Sequence, residues 1–268
     1  MEREYEIGGR ISVALGENGV AAVRLTRPDK LNALDPAMFD ALIEAGERLT
    51  GLKGLRCVVL AGTGKGFCAG LDMASMADGL SGLPLALRSH GNANRFQQAA
   101  VVWRKLPVPV IAALHGVCFG GGLQIAGGAD IRIVSPDARL CVMEMKWGIV
   151  PDMGGFALWR GLVREDVLRE LTYSNREFSG EEALALGFAT KLSAEPLTQA
   201  TALADEIASR NPDAIRAVKA LFNAARDQSF DQTLMAESTA QAELLGTENQ
   251  MEAVASQMAR RTANFTDS

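Results

Sequence analysis

The chain has 268 residues, 27 Lys+Arg against 32 Asp+Glu for a formal charge of -5, and 48% hydrophobic residues. This composition excludes disordered, collagen-like and coiled-coil classes and predicts a soluble globular protein whose core needs no metal or disulfide staple. The acidic balance, with no basic block, predicts no nucleic-acid partner. At the N-terminus, Met1–Glu6 is acidic and lacks an apolar h-region, so neither a signal peptide nor an Arg-rich transit peptide is expected. No apolar run, Val108–Leu114 included, approaches the roughly 20 residues of a membrane helix, and no membrane association is expected.

Ile11, Val13 and Leu15 alternate, Glu17-Asn18-Gly19 makes a turn, and Val20–Leu25 resumes as a second strand. Asp35-Pro36 reads as an N-cap with Pro at the first helical position, followed by a face of Phe39, Leu42, Ile43, Gly46 and Leu49. Arg56–Ala61, Pro109–Leu114 and Ile131–Val134 are apolar on both sides, as in strands covered on both faces. The glycine and serine stretch Asp78–Pro84 reads as a mobile loop. From about residue 160 helix follows helix. Ser179–Glu182 is a capping box whose helix stops at Gly187, Asn211-Pro212 starts another, and Thr247–Gln250 is a second box before a helix over Met251–Ala263. The order predicts repeated strand–strand–helix units over residues 1–195 and a helical region over 196–268.

Several familiar motifs fail on inspection. Gly64–Ala69 fits G-x-G-x-x-[GA] after a strand, yet no carboxylate lies near positions 85–95, where a dinucleotide fold needs one. Lys65 is followed by Gly66 where a phosphate loop needs Ser or Thr, and no G-x-S-x-G elbow is present. His90 reads as solvated and His115 as a hydrogen-bonded histidine at a strand end; two histidines do not make a metal centre. Met143, Met145 and Met153 read as packing. Cys57, Cys68, Cys118 and Cys141 lie mostly in apolar runs without C-x-x-C pairing, the pattern of buried thiols in a reducing, cytoplasmic setting.

Two glycine-rich turns remain, Gly66–Met73 and His115–Gln124, each after a buried strand. Small residues let a ligand touch backbone, and N–H groups at a helix start lack internal partners. Two such ends meeting would stabilise charge developing on a carbonyl oxygen. A third segment, Met143–Gly155, sets Glu144 and Asp152 among Met, Trp, Ile and Val, where burial would raise a carboxyl pKa.

These three segments, in this order and spacing, closely resemble the enoyl-CoA hydratase/isomerase (crotonase) family. Arg27–Leu34 is similar to that family's R-P-x-x-x-N-A-L segment, and the Ser179–Gly187 helix and the Arg260–Phe265 ending also resemble it. The resemblance implies an α/β fold, a crotonase-like spiral of ββα units over 1–195 carrying the acyl-CoA site, with a helical trimerisation region over 196–268. It implies homotrimers or hexamers built as dimers of trimers, and acyl-CoA thioesters as substrates. Coenzyme A would enter as part of the thioester, with no cofactor bound permanently.

By the same resemblance, the amides of Leu71 and Gly121 would donate to the thioester oxygen, with Gly120 beside them. Ala69, Asp72 and Met73 would line the coenzyme A path, Asp72 being alternatively a helix cap. Lys30 and Ala33 would lie near the nucleotide, and Arg260 or Arg261 would reach a phosphate, from a neighbouring subunit or as plain surface arginines. The chain departs from the family's hydratases at Gln124, which stands where one of two catalytic glutamates is expected, Glu144 being the other. An amide exchanges no proton at neutral pH, which disfavours two-glutamate hydration. An isomerase needs one base, so enoyl- or dienoyl-CoA isomerisation is the preferred expectation. Asp152 matches a second acid of the dienoyl-CoA isomerases, or is an N-cap. The alternatives are hydration or another reaction of the family using Glu144 and Asp152, and a non-catalytic acyl-CoA-binding member.

Overall fold

The computed structural model describes residues 4–76 and 85–267; the Asp78–Pro84 stretch singled out above lies outside the described residues. The chain opens with strands β1 (Glu4–Ile7), β2 (Ile11–Leu15) and β3 (Val20–Leu25), then helix α1 (Pro36–Thr50) and β4 (Cys57–Gly62). Helices α2 (Met73–Met76) and α3 (Arg95–Lys105) precede β5 (Val110–Leu114), β6 (Val117–Phe119) and α4 (Gly121–Gly127). Strands β7 (Ile131–Val134) and β8 (Arg139–Cys141) follow, then α5 (Gly155–Trp159), α6 (Glu165–Ser174), β9 (Phe178–Ser179), α7 (Gly180–Leu186) and β10 (Lys191–Leu192). The chain ends in α8 (Pro196–Ala208), α9 (Pro212–Ala225), α10 (Phe230–Leu244) and α11 (Glu248–Ala259).

Among the described residues two sheets form, one in the order β1-β2-β3-β4-β5-β7-β10 and a smaller one in the order β6-β8-β9. β1, β2 and β3 are antiparallel neighbours, and from β3 to β10 the pairing is parallel. In two successive units the first strand (β5, β7) joins the large sheet and the second (β6, β8) the small one, so the strand–strand–helix order winds as a spiral. The parallel strands alternate strictly. Val58 and Leu60 of β4 face the main core with α1, while Cys57, Val59 and Ala61 face Ala200 and Ala204 of α8. That double burial explains why these strands read as unbroken apolar runs.

Local signals formed as expected where the partners lie within a few residues. The Asp35 side chain caps α1 by accepting from the Met38 N–H at 2.8 Å. Ser179 and Glu182 form their reciprocal box, and Gly187 ends α7 in the left-handed conformation at φ 93°. Two expectations need correction. Thr247 accepts from the Gln250 N–H, but the Gln250 side chain accepts from Gly246 rather than Thr247, so the box is half made. The helix that follows ends at Ala259 rather than Ala263, because Arg260 turns left-handed at φ 52°.

The 195/196 boundary also does not separate two packing units, since α8 forms part of the sheet's cover. Beyond it Lys219 of α9 is buried and donates to the Val108 carbonyl at 2.7 Å and to Asp130 at 2.8 Å. Helices α9 to α11 expose large apolar side chains, with Phe222 71%, Phe230 77% and Met258 83% accessible. All four cysteines are buried and unbridged. No described helix is long and apolar enough to cross a membrane.

Gly46 lets α1 lie close against α3, since a Cβ there would stand 2.3 Å from Val102 Cγ2. Gly46→Ala should therefore destabilise the fold by about 1–3 kcal/mol through overpacking. Urea unfolding measures this, and adding Val102→Ala should recover part of the loss because the two sites share one contact.

Candidate active site

Adjacent parallel strands β4 and β5 end level with each other, and the chain leaves both through glycine turns. The turns zip together by backbone bonds: the Cys68 N–H donates to the Val117 carbonyl at 3.1 Å, and the Phe119 N–H to the Cys68 carbonyl at 3.0 Å. Gly70 takes φ 85°, and a Cβ on it would lie 2.8 Å from the Phe119 oxygen and 3.7 Å from the Gly121 nitrogen. Only glycine meets both conditions at that position. Beyond these contacts stand two N–H groups, of Leu71 and of Gly121, that find no acceptor among the described residues. Gly121 opens α4, where the first N–H groups have no intrahelical partner. Such a pair of fixed donors suits an oxygen that acquires negative charge.

Gln124, the fourth residue of α4, and Glu144, the first residue of a 3-10 helix over Glu144–Trp147, meet beside these turns. Gln124 is 1% and Glu144 6% accessible. The Gln124 oxygen accepts from the Met153 N–H at 2.9 Å and the Gly155 N–H at 3.0 Å. Those two donors determine which way the amide faces, and its Nε2 therefore donates to Glu144 Oε1 at 2.6 Å. Glu144 Oε2 is buried and has no hydrogen-bond partner among the described residues. Gly120, at φ 49°, lies beside this carboxyl, a Cβ there standing 3.5 Å from Glu144 Oε1.

Burial raises the Glu144 pKa; the hydrogen bonds from backbone and from Gln124 oppose this, and the nearby Asp152 charge adds to it. Burial likewise raises the half-buried Asp152. The source of the desolvation differs from the sequence expectation. Trp147, Ile149 and Val150 face outward, 49%, 42% and 59% accessible, and the side chain set against the Glu144 carboxyl is that of Gln124 from α4. Nor does Asp152 cap α5, whose cap position is Gly154 in the left-handed conformation.

The remaining candidates divide. Ala69 is tied to the N-terminal segment by its N–H bond to the Leu31 carbonyl at 2.9 Å, and Ala33 and exposed Lys30 lie on that same segment. Asp72 uses both carboxylate oxygens within the fold, Oδ1 accepting from the Ser75 N–H and Oδ2 from Arg27 at 2.7 Å. The Ser75 side chain and Arg27 hold its pKa down at about 2. The capping alternative for Asp72 is thus realised, with half-buried Met73 opening the capped helix α2. Arg260 and Arg261 are not brought to the glycine turns within one protomer. Arg261 pairs with Glu252, and the tail after it docks at Arg56, before the N-terminal end of β4, whereas the turns lie beyond the C-terminal end. His115 Nε2 donates to the Gly64 carbonyl at 3.0 Å, as the structural reading expected. The Met153 and Gly155 N–H groups that orient Gln124 escaped the sequence reading; backbone donors carry no side-chain signature.

Comparison with known proteins agrees with this architecture. A family model described as enoyl-CoA hydratase/isomerase matches residues 16–268. The mitochondrial Delta(3,5)-Delta(2,4)-dienoyl-CoA isomerase of Mus musculus is 31% identical over 261 residues, covering 94% of this chain and 80% of that protein. An enoyl-CoA hydratase of Mycobacterium tuberculosis is 32% identical over 201 residues, 73% of this chain and 74% of that one. The crystal structure of enoyl-CoA hydratase from Bacillus anthracis superposes with a TM-score of 0.88 at 27% identity, covering 96% of this chain and 98% of that one.

The raised Glu144 pKa sets a stability test. Its folded pKa lies above that of the unfolded chain, so ionising the carboxyl costs stability in full above the folded value, less as pH falls below it, and nothing below the unfolded value. Glu144→Gln should raise Tm above wild type at pH 8, and the gap should close by pH 4. Thermal unfolding across that range measures it.

Proposed function

The chain belongs to the enoyl-CoA hydratase/isomerase family, and on that premise we propose that it moves a carbon–carbon double bond along an acyl-CoA thioester, with enoyl- or dienoyl-CoA isomerisation preferred to hydration. The observation that carries this reading is the Gln124 amide, turned so that its N–H faces Glu144 and leaves one carboxylate oxygen free. In the proposed reaction Glu144 Oε2 takes a proton from the α-carbon of a 3-enoyl-CoA. The electron pair left behind delocalises onto the thioester oxygen, and the Leu71 and Gly121 N–H groups hold the enolate. The same carboxyl returns its proton to C4, so the double bond shifts to C2–C3 with no net gain or loss of atoms. One group with a raised pKa can serve as base and then acid.

Hydration asks for more, because water must lose a proton while the α-carbon gains one. Gln124 hydrogen-bonds but does not titrate. For a 3,5-dienoyl substrate the proton returns at C6, further along the chain, and Asp152 is the second acid we propose there. The dienoyl-CoA isomerases among the relatives support a dienoyl thioester as substrate. Coenzyme A enters as the carrier half of the substrate, along Lys30, Ala33, Ala69 and Met73, and no further cofactor takes part. Arg260 and Arg261 serve the phosphates only from a neighbouring subunit. The exposed apolar side chains of α9 to α11 support a homotrimer or a hexamer of two trimers.

A second reading, hydration or another reaction of the family with Glu144 and Asp152, draws on the raised Asp152 pKa and on the hydratase relative. A retired, non-catalytic site is disfavoured by Glu144 itself, since a buried carboxyl with a partnerless oxygen is costly to keep without use.

The test is a panel of 2-enoyl-, 3-enoyl- and 3,5-dienoyl-CoA followed by ultraviolet absorbance and mass. We expect isomers from the 3-enoyl or 3,5-dienoyl thioesters and slow addition of water to the 2-enoyl one. Glu144→Gln should lose about 10²–10⁴-fold in turnover and keep thioester binding. Gln124→Glu should raise 3-hydroxyacyl-CoA formation, because two touching carboxyls share one proton and offer an acid with a base. Efficient hydration by the wild type would overturn the isomerase preference. In sedimentation, the full chain should run as a trimer or hexamer, and Phe222→Asp with Phe230→Asp should shift it toward monomer without loss of helical circular dichroism.

A further inference from the structure

Arg27 follows β3 and lies outside the glycine turns, yet its half-buried guanidinium reaches the segment that aims one of them. Its Nη1 donates to the Ala33 carbonyl at 3.1 Å and to Asp72 Oδ2 at 2.7 Å, with Asp35 Oδ2 at 3.7 Å. Its backbone N–H donates to Asn32 Oδ1 at 2.9 Å, and the Asn32 amide donates in turn to the Thr63 and Gly66 carbonyls, both at 2.9 Å. The loop from Arg27 to Leu34 is therefore fastened to the first turn at both ends.

The consequence follows from peptide planarity. The carbonyl of Ala33 and the N–H of Leu34 belong to one rigid trans plane, and so do the carbonyl of Gly70 and the N–H of Leu71. The Leu34 N–H donates to the Gly70 carbonyl at 2.8 Å. Holding the Ala33 oxygen thus orients the Leu34 N–H, which holds the Gly70 oxygen, which orients the Leu71 N–H in the opposite direction, away from Leu34. The Asp72 N–H, donating to the Leu34 carbonyl at 3.0 Å, braces the far side of Leu71. A cation at the head of such a chain also polarises each bond in turn, making the last N–H a stronger donor.

We infer that Arg27 is a positioning residue for the reaction, setting the direction and donor strength of the Leu71 N–H through two hydrogen-bonded peptide planes. It touches no reacting atom. The inference rests on the reading of Leu71 as a donor to the thioester oxygen, and its test separates the two.

A 2-enoyl-CoA carrying ¹³C at the thioester carbonyl is bound to the full-length protein, and its C=O stretch is read by infrared difference spectroscopy. Wild type should lower the stretch relative to the free thioester. Arg27→Met should lower it less and reduce kcat on the best isomerisation substrate by about tenfold to a hundredfold, below the 10²–10³ of losing a donor outright, with KM nearly unchanged. Arg27→Lys, which restores a cation able to reach Ala33 and Asp72, should recover part of both. Circular dichroism checks folding; should Arg27→Met fail it, Arg27→Gln, neutral but able to donate, takes its place with the same expectation. No downshift in wild type would overturn the donor role of Leu71, and this inference with it. A wild-type downshift retained in full by the folded neutral variant would overturn the inference and leave the donor role standing.

Discussion

The site depends on a backbone-to-backbone contact between two turns. Strands β4 and β5 are parallel neighbours in register, with Ala61 opposite Ala113, so the chain leaves both at one level. From there the backbones of Cys68 and Cys118 pair side by side, and Gly70 presses against the Phe119 carbonyl at a distance that admits no Cβ. The contact turns the Leu71 N–H away from its own neighbours and brings the start of α4 beside it. Donors left free in this way are already oriented before any ligand arrives. The second sheet follows from the same arrangement, since β6 leaves the large sheet to make the second turn and needs β8 as its partner.

Around that contact the fold places a carboxyl where water is scarce, and neutral amides keep it company. The Met153 and Gly155 N–H groups decide the face of Gln124, and Gln124 decides which oxygen of Glu144 is occupied. A glutamate at position 124 would accept from the same two N–H groups and so put a second acid against the first. The amide keeps the geometry of such a pair and removes its second proton. The raised Glu144 pKa is the thermodynamic trace of this arrangement, since the burial that dries the carboxyl disfavours its charge.

The C-terminal helices divide between two tasks. α8 offers Ala200 and Ala204 to the sheet, small residues one turn apart that allow close approach, and it completes the core. α9 is clamped by buried Lys219 against the Val108 carbonyl, in the segment leading into β5, and against Asp130. Beyond that clamp the helices turn large apolar side chains such as Phe222 and Met258 outward.

The sequence by itself determined whatever is decided within a few residues or by an unbroken pattern. The Asp35 and Ser179 caps, the stop at Gly187 and the doubly covered strands β4, β5 and β7 were legible because periodicity and capping are local. The glycine turns and the acids beside them were legible as candidates, since their residue types are few and their chemistry narrow. Tertiary structure alone decided the partners. Glu144 is buried against Gln124 of α4, whereas the Trp147, Ile149 and Val150 that follow it are exposed. Asp72 is claimed by Arg27, 45 residues away, Gln124 is oriented by backbone N–H groups 29 and 31 residues away, and Arg260 and Arg261 end far from the turns of their own protomer. Burial, the facing of an amide and the ownership of a charge are properties of groups that meet only after folding, and spacing along the chain does not encode them.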